Sequence, residues 1–232
     1  MNFRDIKIVY EDNHLLVVEK PYNVLSQGDI TGDIDLHTLM KEYIKVKYKK
    51  PGNVYLGLVH RLDRPVGGVM VFAKTSKCAS RLSEQIRERR FEKGYLVAIE
   101  GVPEKLSGKL SHYLLKDRRT NMTRAVREGR KGAKLSTLKY EVLGHAAGLS
   151  LVKVQLITGR AHQIRVQFST EGHPIYGDHR YGDDRQSRHQ IALWAYKLGF
   201  THPTKREPME FCVRPPKGHP WNVFSEQLKV LT

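Results

Sequence analysis

Asp63 stands between two guanidinium groups in the stretch Gly57-Leu58-Val59-His60-Arg61-Leu62-Asp63-Arg64-Pro65, with apolar residues on both sides. An apolar setting penalises a carboxylate, and neighbouring cations such as Arg61 and Arg64 offset the penalty by keeping it ionised and fixing its direction. A carboxylate held this way can attack an electrophilic carbon or take a proton. The same residue pattern also closes ordinary turns, so on its own it leaves both roles open.

A second candidate lies in Thr158-Gly159-Arg160-Ala161-His162-Gln163-Ile164-Arg165-Val166-Gln167-Phe168. The spacing predicts a short helix over 160–170, capped by Thr158, with Ala161, Ile164 and Phe168 facing the core. Arg165 is one helical step from Ala161 and from Phe168, so its stem points inward. A buried guanidinium needs a carboxylate; Asp63 is the expected partner, and a surface pairing with Glu171 is the alternative. His162 and Gln163 either contact phosphate or base edges or act as capping and packing residues. Tyr95 follows Gly94 in a predicted strand, where the missing side chain lets another group approach. Its ring either stacks on a nucleobase or fills the core.

Charge separates this chain from an ordinary globular enzyme. Among 232 residues, 40 Lys and Arg face 24 Asp and Glu, a net of +16. Such an excess predicts a polyanionic partner, with nucleic acid foremost. Lys116 to Lys134 alone holds eight Lys and Arg against two acids, and Asn121, Gly129 and Gly132 punctuate it. We expect a long mobile loop there that clamps phosphates through Arg118, Arg119, Arg124, Arg127 and Arg130; a merely solvated charge run is the alternative.

Several chemistries leave no trace. The sequence has no phosphate-binding Gly-x-x-x-x-Gly-Lys-Ser/Thr loop, no dinucleotide fingerprint, no Gly-x-Ser-x-Gly elbow and no Cys-x-x-Cys. Its two cysteines, Cys78 and Cys212, are far apart. Neither a metal nor a cofactor is expected. No apolar run reaches membrane-spanning length and the N-terminus lacks a signal-peptide core, so we expect a cytoplasmic protein without a membrane partner.

The elements that must position these residues read as follows. Residues 6–10 and 15–19 form a hairpin, and 36–47 a helix with apolar residues at Leu36, Leu39, Met40, Tyr43 and Ile44. Val69–Ala73 is a buried strand, followed by a helix capped by Ser76 with an inner stripe of Ala79, Leu82 and Ile86. Residues 92–101 form a strand, and 138–143 with 149–157 a second hairpin. An amphipathic piece over 191–198, a strand at 209–213 and a helix over 224–231 complete the chain. Strands and helices mix without a strand–helix–strand rhythm, so the fold class is α+β, a mixed and mostly antiparallel sheet flanked by helices, in one catalytic domain over 1–232.

Four segments in one order carry a resemblance. His60-Arg61-Leu62-Asp63-Arg64, Lys93-Gly94-Tyr95-Leu96-Val97-Ala98, Thr158 to Arg165, and Gly177-Asp178-His179-Arg180-Tyr181-Gly182 resemble the RluA-type family of RNA pseudouridine synthases. The likeness runs from about Ile8 to Pro203. It implies that Asp63 is the essential aspartate, that Tyr95 stacks on the target uracil and takes part in proton transfer, and that Arg165 pairs with the aspartate. It also implies that Arg61 takes the place of an extruded base and that residues 193–198 floor the uracil pocket. The chain departs from the family in having Pro65-Val66-Gly67-Gly68 where relatives often carry hydroxyl residues; the glycine turn is expected to survive at Gly67-Gly68. The sequence opens on the catalytic domain's first strand with no S4-type module before it, so grip on the RNA is expected from this domain itself.

The implied reaction suits the residue set. Isomerising uridine breaks a C1′–N1 bond, turns the uracil and joins C1′ to C5, with no oxidation and no water consumed. Hydrolytic glycosidases usually need two carboxylates; here one suffices, either adding to C1′ or removing a ribose proton. The base must leave its stack, which costs least in a loop. The expected partner is therefore a loop uridine of rRNA or tRNA, acted on by a monomer. The competing readings are a non-catalytic RNA-binding or ribosome-assembly protein of the same fold, and a glycosylase that releases free uracil.

Overall fold

The computed structural model describes residues 1–182 and 189–231. In chain order the elements are β1 (Lys7–Glu11), β2 (Leu15–Lys20), α1 (Leu36–Lys47), β3 (Gly57–Leu58), β4 (Gly67–Ala73), α2 (Ser76–Arg87), β5 (Glu92–Glu100), β6 (Ser107–Asp117), β7 (Met122–Val126), β8 (Lys134–Ala146), β9 (Leu149–Leu156), α3 (Gln163–Thr170), β10 (Leu193–Thr201), β11 (Pro208–Cys212) and α4 (Ser225–Lys229). The strands pair predominantly antiparallel, the α+β class that the sequence predicts. The chain groups into two compact units, Met1–Lys93 with Ala195–Val213, and Gly94–Trp194 with Arg214–Thr232.

In the first unit the strand order is β1–β2–β4–β10, with β3 against β4 and β11 against β10. All seven residues of β4 are buried, as a continuous apolar strand requires when both its faces are covered. Gly68 has φ +126°, and a Cβ there would stand 2.2 Å from the Ala195 carbonyl oxygen of β10. The neighbouring strand therefore excludes any side chain. Gly67 and Gly68 begin a strand and do not form the expected turn; the turn lies earlier, where the Val66 N–H donates to the Asp63 carbonyl at 3.0 Å.

Helix α1 has the predicted bounds, and Leu36, Leu39, Met40 and Ile44 are buried while Asp35 accepts the Thr38 N–H as N-cap. Helix α2 is capped by Thr75 rather than Ser76, and its buried residues are Cys78, Leu82 and Gln85. The expected Ala79–Leu82–Ile86 stripe is rotated because Gln85 is buried with its amide paired. Its Nε2 donates to the Thr201 carbonyl at 2.8 Å and its Oε1 accepts the Thr201 N–H at 2.9 Å. The amphipathic piece over 191–198 is largely β10, a strand buried at all but two residues.

In the second unit the order is β5–β9–β8–β6–β7, every neighbouring pair antiparallel. The basic run from Lys116 to Lys134 is not a long mobile loop. It contains β7, which pairs with β6 through Lys116 opposite Thr123 and Asp117 opposite Met122. The Asp117 carboxylate closes the turn by accepting the Arg119 N–H at 2.8 Å, and Asn121 supplies the left-handed residue at φ 54°. Thr123 is buried and Arg124 exposed, the period-two alternation of a half-buried strand that the density of charge hides. Helix α3 starts at Gln163, not Arg160, because His162 turns left-handed at φ 54° just before it.

Candidate active site

The segment carrying Asp63 alternates between buried and accessible residues: His60, Leu62 and Val66 are buried, Arg61 and Arg64 exposed, and Asp63 intermediate. The inward residues pin it. His60 Nε2 accepts the Val71 N–H of β4 at 3.1 Å, and the ring lies 5.5 Å from that of Phe91. Burial, helped by the charge of Lys93, holds the imidazole down at about 3, so His60 is a neutral acceptor. Ser26 clamps Leu62 twice, donating to its carbonyl at 2.7 Å and accepting its N–H at 3.1 Å.

Lys20, at the end of β2, is fully buried, and its ammonium donates to the carbonyls of Pro21 (3.0 Å), Arg64 (3.0 Å) and Val66 (2.6 Å). All three donors of the group are thus satisfied. Two of the three acceptors bracket the turn that follows Asp63. Burial brings Lys20 down to about 7, opposed by the charge of Asp63 and assisted by that of Arg64. This lysine is absent from the sequence-based candidates. Its one signal is that it follows the apolar run over 15–18 in phase with Leu16 and Val18.

The sequence expects both arginines to orient Asp63. Arg64 turns away: its Nη1 pairs with Asp33 at 2.6 Å and its Nε donates to the Asn23 carbonyl at 3.3 Å. The pairing ties the 27–35 loop to the Asp63 segment at a partly exposed position.

In the second unit Arg165 is 4% exposed, as its place on α3 predicts. One carboxylate that grips it within this unit is Asp178. Arg165 Nε and Nη2 donate to Asp178 Oδ2 and Oδ1, both at 2.7 Å. Asp178 also accepts the N–H groups of Arg180 (3.0 Å) and Tyr181 (3.2 Å), so one carboxylate braces the loop and holds the ion pair. The guanidinium carbon lies 5.1 Å from the centre of the Tyr181 ring. The Tyr181 hydroxyl accepts the Thr123 N–H at 2.9 Å and meets His162 Nδ1 at 2.7 Å.

Gln163 is buried, with Oε1 accepting from the Thr158 hydroxyl (2.8 Å) and the Arg160 N–H (3.0 Å), and Nε2 donating to the Thr137 carbonyl (3.1 Å). It packs at the foot of α3 and braces the turn before it, while no side chain, Thr158 included, caps the helix. Tyr95 is buried on β5 opposite Val154. Arg118, Arg119, Arg124, Arg127 and Arg130 are placed on the β6–β7 turn, on β7 and on the turn into β8, and all five are exposed. Among the described residues no group of three or more His, Cys, Asp or Glu is placed to hold a metal ion.

Comparison with known proteins fits this arrangement. Residues 14–170 match the family model for RNA pseudouridylate synthase. The chain is 36% identical over 229 residues to an uncharacterized RNA pseudouridine synthase of Aquifex aeolicus, covering 91% of this chain and 70% of the relative. It is also 36% identical over 211 residues to ribosomal large subunit pseudouridine synthase C of Escherichia coli K12, covering 87% of this chain. It spans 64% of the length of that relative. The fold is that of human RNA Pseudouridylate Synthase Domain Containing 4, with a TM-score of 0.78 at 24% identity over 96% of this chain and 93% of that one. Human RNA Pseudouridylate Synthase Domain Containing 1 superposes with a TM-score of 0.73 at 25% identity, covering 93% and 86%. On the extent of these matches, the chain belongs to the RNA pseudouridylate synthase family, of the RluA type.

Proposed function

We propose that this protein isomerises uridine to pseudouridine in structured RNA, with Asp63 as the carboxylate that acts on the ribose of an everted nucleotide. The observation that carries the reading is the family match joined to the way Asp63 is held. The turn after it is fixed by buried partners at His60, Ser26 and Lys20, which is how a fold pre-orients a reacting group. Tyr95 stacks on the detached uracil, and Arg165, oriented by Asp178, supplies the positive charge. Arg61, exposed beside Asp63, fills the gap left by the base. His162 and the arginines of the β6–β7–β8 ribbon grip phosphates.

Detachment of the uracil leaves the bonding electron pair on the base; re-attachment through C5 uses that pair to form the C1′–C5 bond, and the C5 proton is then lost while N1 gains one. The atoms balance without any second substrate. An apolar surround keeps water from the sugar, which would otherwise be left abasic. We take the substrate to be a loop uridine in rRNA or tRNA, and the protein to act as a cytoplasmic monomer.

The test is mass spectrometry of RNA from a strain lacking the gene, after incubation with purified protein. Pseudouridine at a defined position supports the reading. Release of free uracil would mark a glycosylase, and tight binding with no product a non-catalytic RNA-binding protein.

A further inference from the structure

β7 is the last strand of its sheet, and an edge strand presents backbone groups that need partners. Its Thr123 N–H is met by the Tyr181 hydroxyl at 2.9 Å. A second bond, from Arg180 Nη1 to the Asn121 carbonyl at 3.3 Å, docks the same ribbon to the same 178–181 turn. A phenol has one proton and, while accepting from Thr123, can donate that proton to His162 Nδ1, 2.7 Å away. The other face of this residue carries the guanidinium of Arg165, 5.1 Å from its ring. Its own backbone N–H returns to Asp178, the carboxylate that fixes Arg165. One side chain thus touches both the strand bearing Arg124 and the group that orients Arg165.

We propose that Tyr181 is a positioning residue that couples the seating of the basic ribbon on RNA to the orientation of Arg165. The proposal rests on the catalytic reading of Arg165 given above. When phosphates pull on the β6–β7 ribbon, Thr123 carries the displacement to the Tyr181 hydroxyl, and the ring and the Asp178 turn transmit it to the guanidinium. Tyr181 itself need not touch the uridine. A packed two-ended contact of this kind is how a distant binding surface biases a reacting group.

Tyr181→Phe keeps the ring under Arg165 and deletes only the hydroxyl. With soluble protein of unchanged circular dichroism, we expect kcat for pseudouridine formation on an rRNA transcript to fall roughly tenfold while KM stays close to wild type. In the wild-type background Arg124→Ala should raise KM and lower kcat; in the Tyr181→Phe background it should raise KM alone. Wild-type kcat in Tyr181→Phe, or kcat losses that simply multiply, would overturn the proposal. A second measurement does not depend on turnover. The Arg165 Nε–H resonance should shift when the wild type binds an RNA duplex without unpaired uridine, and should not shift in Tyr181→Phe; equal shifts would refute the coupling. Should the wild type form no pseudouridine, the catalytic reading fails while this resonance still decides the link.

Discussion

Lys20 Nζ lies 2.6 Å from the carbonyl oxygen of Val66, three residues beyond Asp63, and completes its donors on Arg64 and Pro21. A buried ammonium is costly, and three carbonyl acceptors are what make it tolerable. The expense of placing it there is understandable if the turn after Asp63 has to be rigid.

Lys20→Met keeps the stem and removes the three hydrogen bonds, leaving carbonyls unpaired. We expect a loss of about 3 kcal/mol in urea unfolding and a fall of about a hundredfold in pseudouridine formation as the turn shifts. Activity retained at the wild-type level in a folded variant would show that Lys20 contributes to stability alone.

Asp178→Asn removes the charge facing Arg165 while keeping the shape. Weakening the ion pair of a buried guanidinium should destabilise the protein by about 3 kcal/mol, measured by denaturant titration. Asp178→Glu, which restores the charge, should recover part of the stability but little activity, because the bidentate 2.7 Å geometry is not reproduced.

Stability should depend on pH in a defined direction. Burial alone would raise the Glu11 carboxyl, but hydrogen bonds from Lys47, Lys74, Tyr48 and Tyr43 outweigh it and hold the group at about 2. Burial likewise opposes the bonds from His14, Leu15, His202 and Tyr10 that keep Asp12 at about 2. Both are depressed in the folded state, so their stabilisation is complete above the ordinary carboxylate range and disappears as pH falls toward 2. His60, held at about 3 against an ordinary 6.5, adds a loss that begins earlier, below about 6.5. Urea midpoints measured from pH 7 to 3 should fall continuously, and Glu11→Gln should flatten the lower part of the curve. A midpoint that rises on acidification would contradict these assignments.

Replacing Arg118, Arg119, Arg124, Arg127 and Arg130 with alanine should weaken RNA binding and flatten its salt dependence. Every phosphate left without its cation takes about 0.7–0.9 from the logarithmic slope. An unchanged slope would place this ribbon away from the RNA.

Much of the fold is legible in the sequence where a local rule suffices. Helix α1 announces itself through the spacing of Leu36, Leu39, Met40 and Ile44, and β4 through an unbroken apolar run. Arg165 reads as buried because its helical neighbours are apolar. Features that depend on distant partners are not legible. No spacing rule links Lys20 to the carbonyls of residues 64 and 66, or Arg165 to Asp178. The β7 strand is hidden because Thr123 and Ala125 are weak apolar markers amid arginines. Thr158 looks like a cap from its position, yet no side chain caps α3 once His162 turns left-handed just before it.

The most direct measurement is site-resolved pseudouridine mapping of RNA treated with wild-type protein and with Asp63→Asn, at equal concentration and with equal RNA binding. Pseudouridine from the wild type and none from the variant is the expected pair of results; equal product from both would contradict the role given to Asp63.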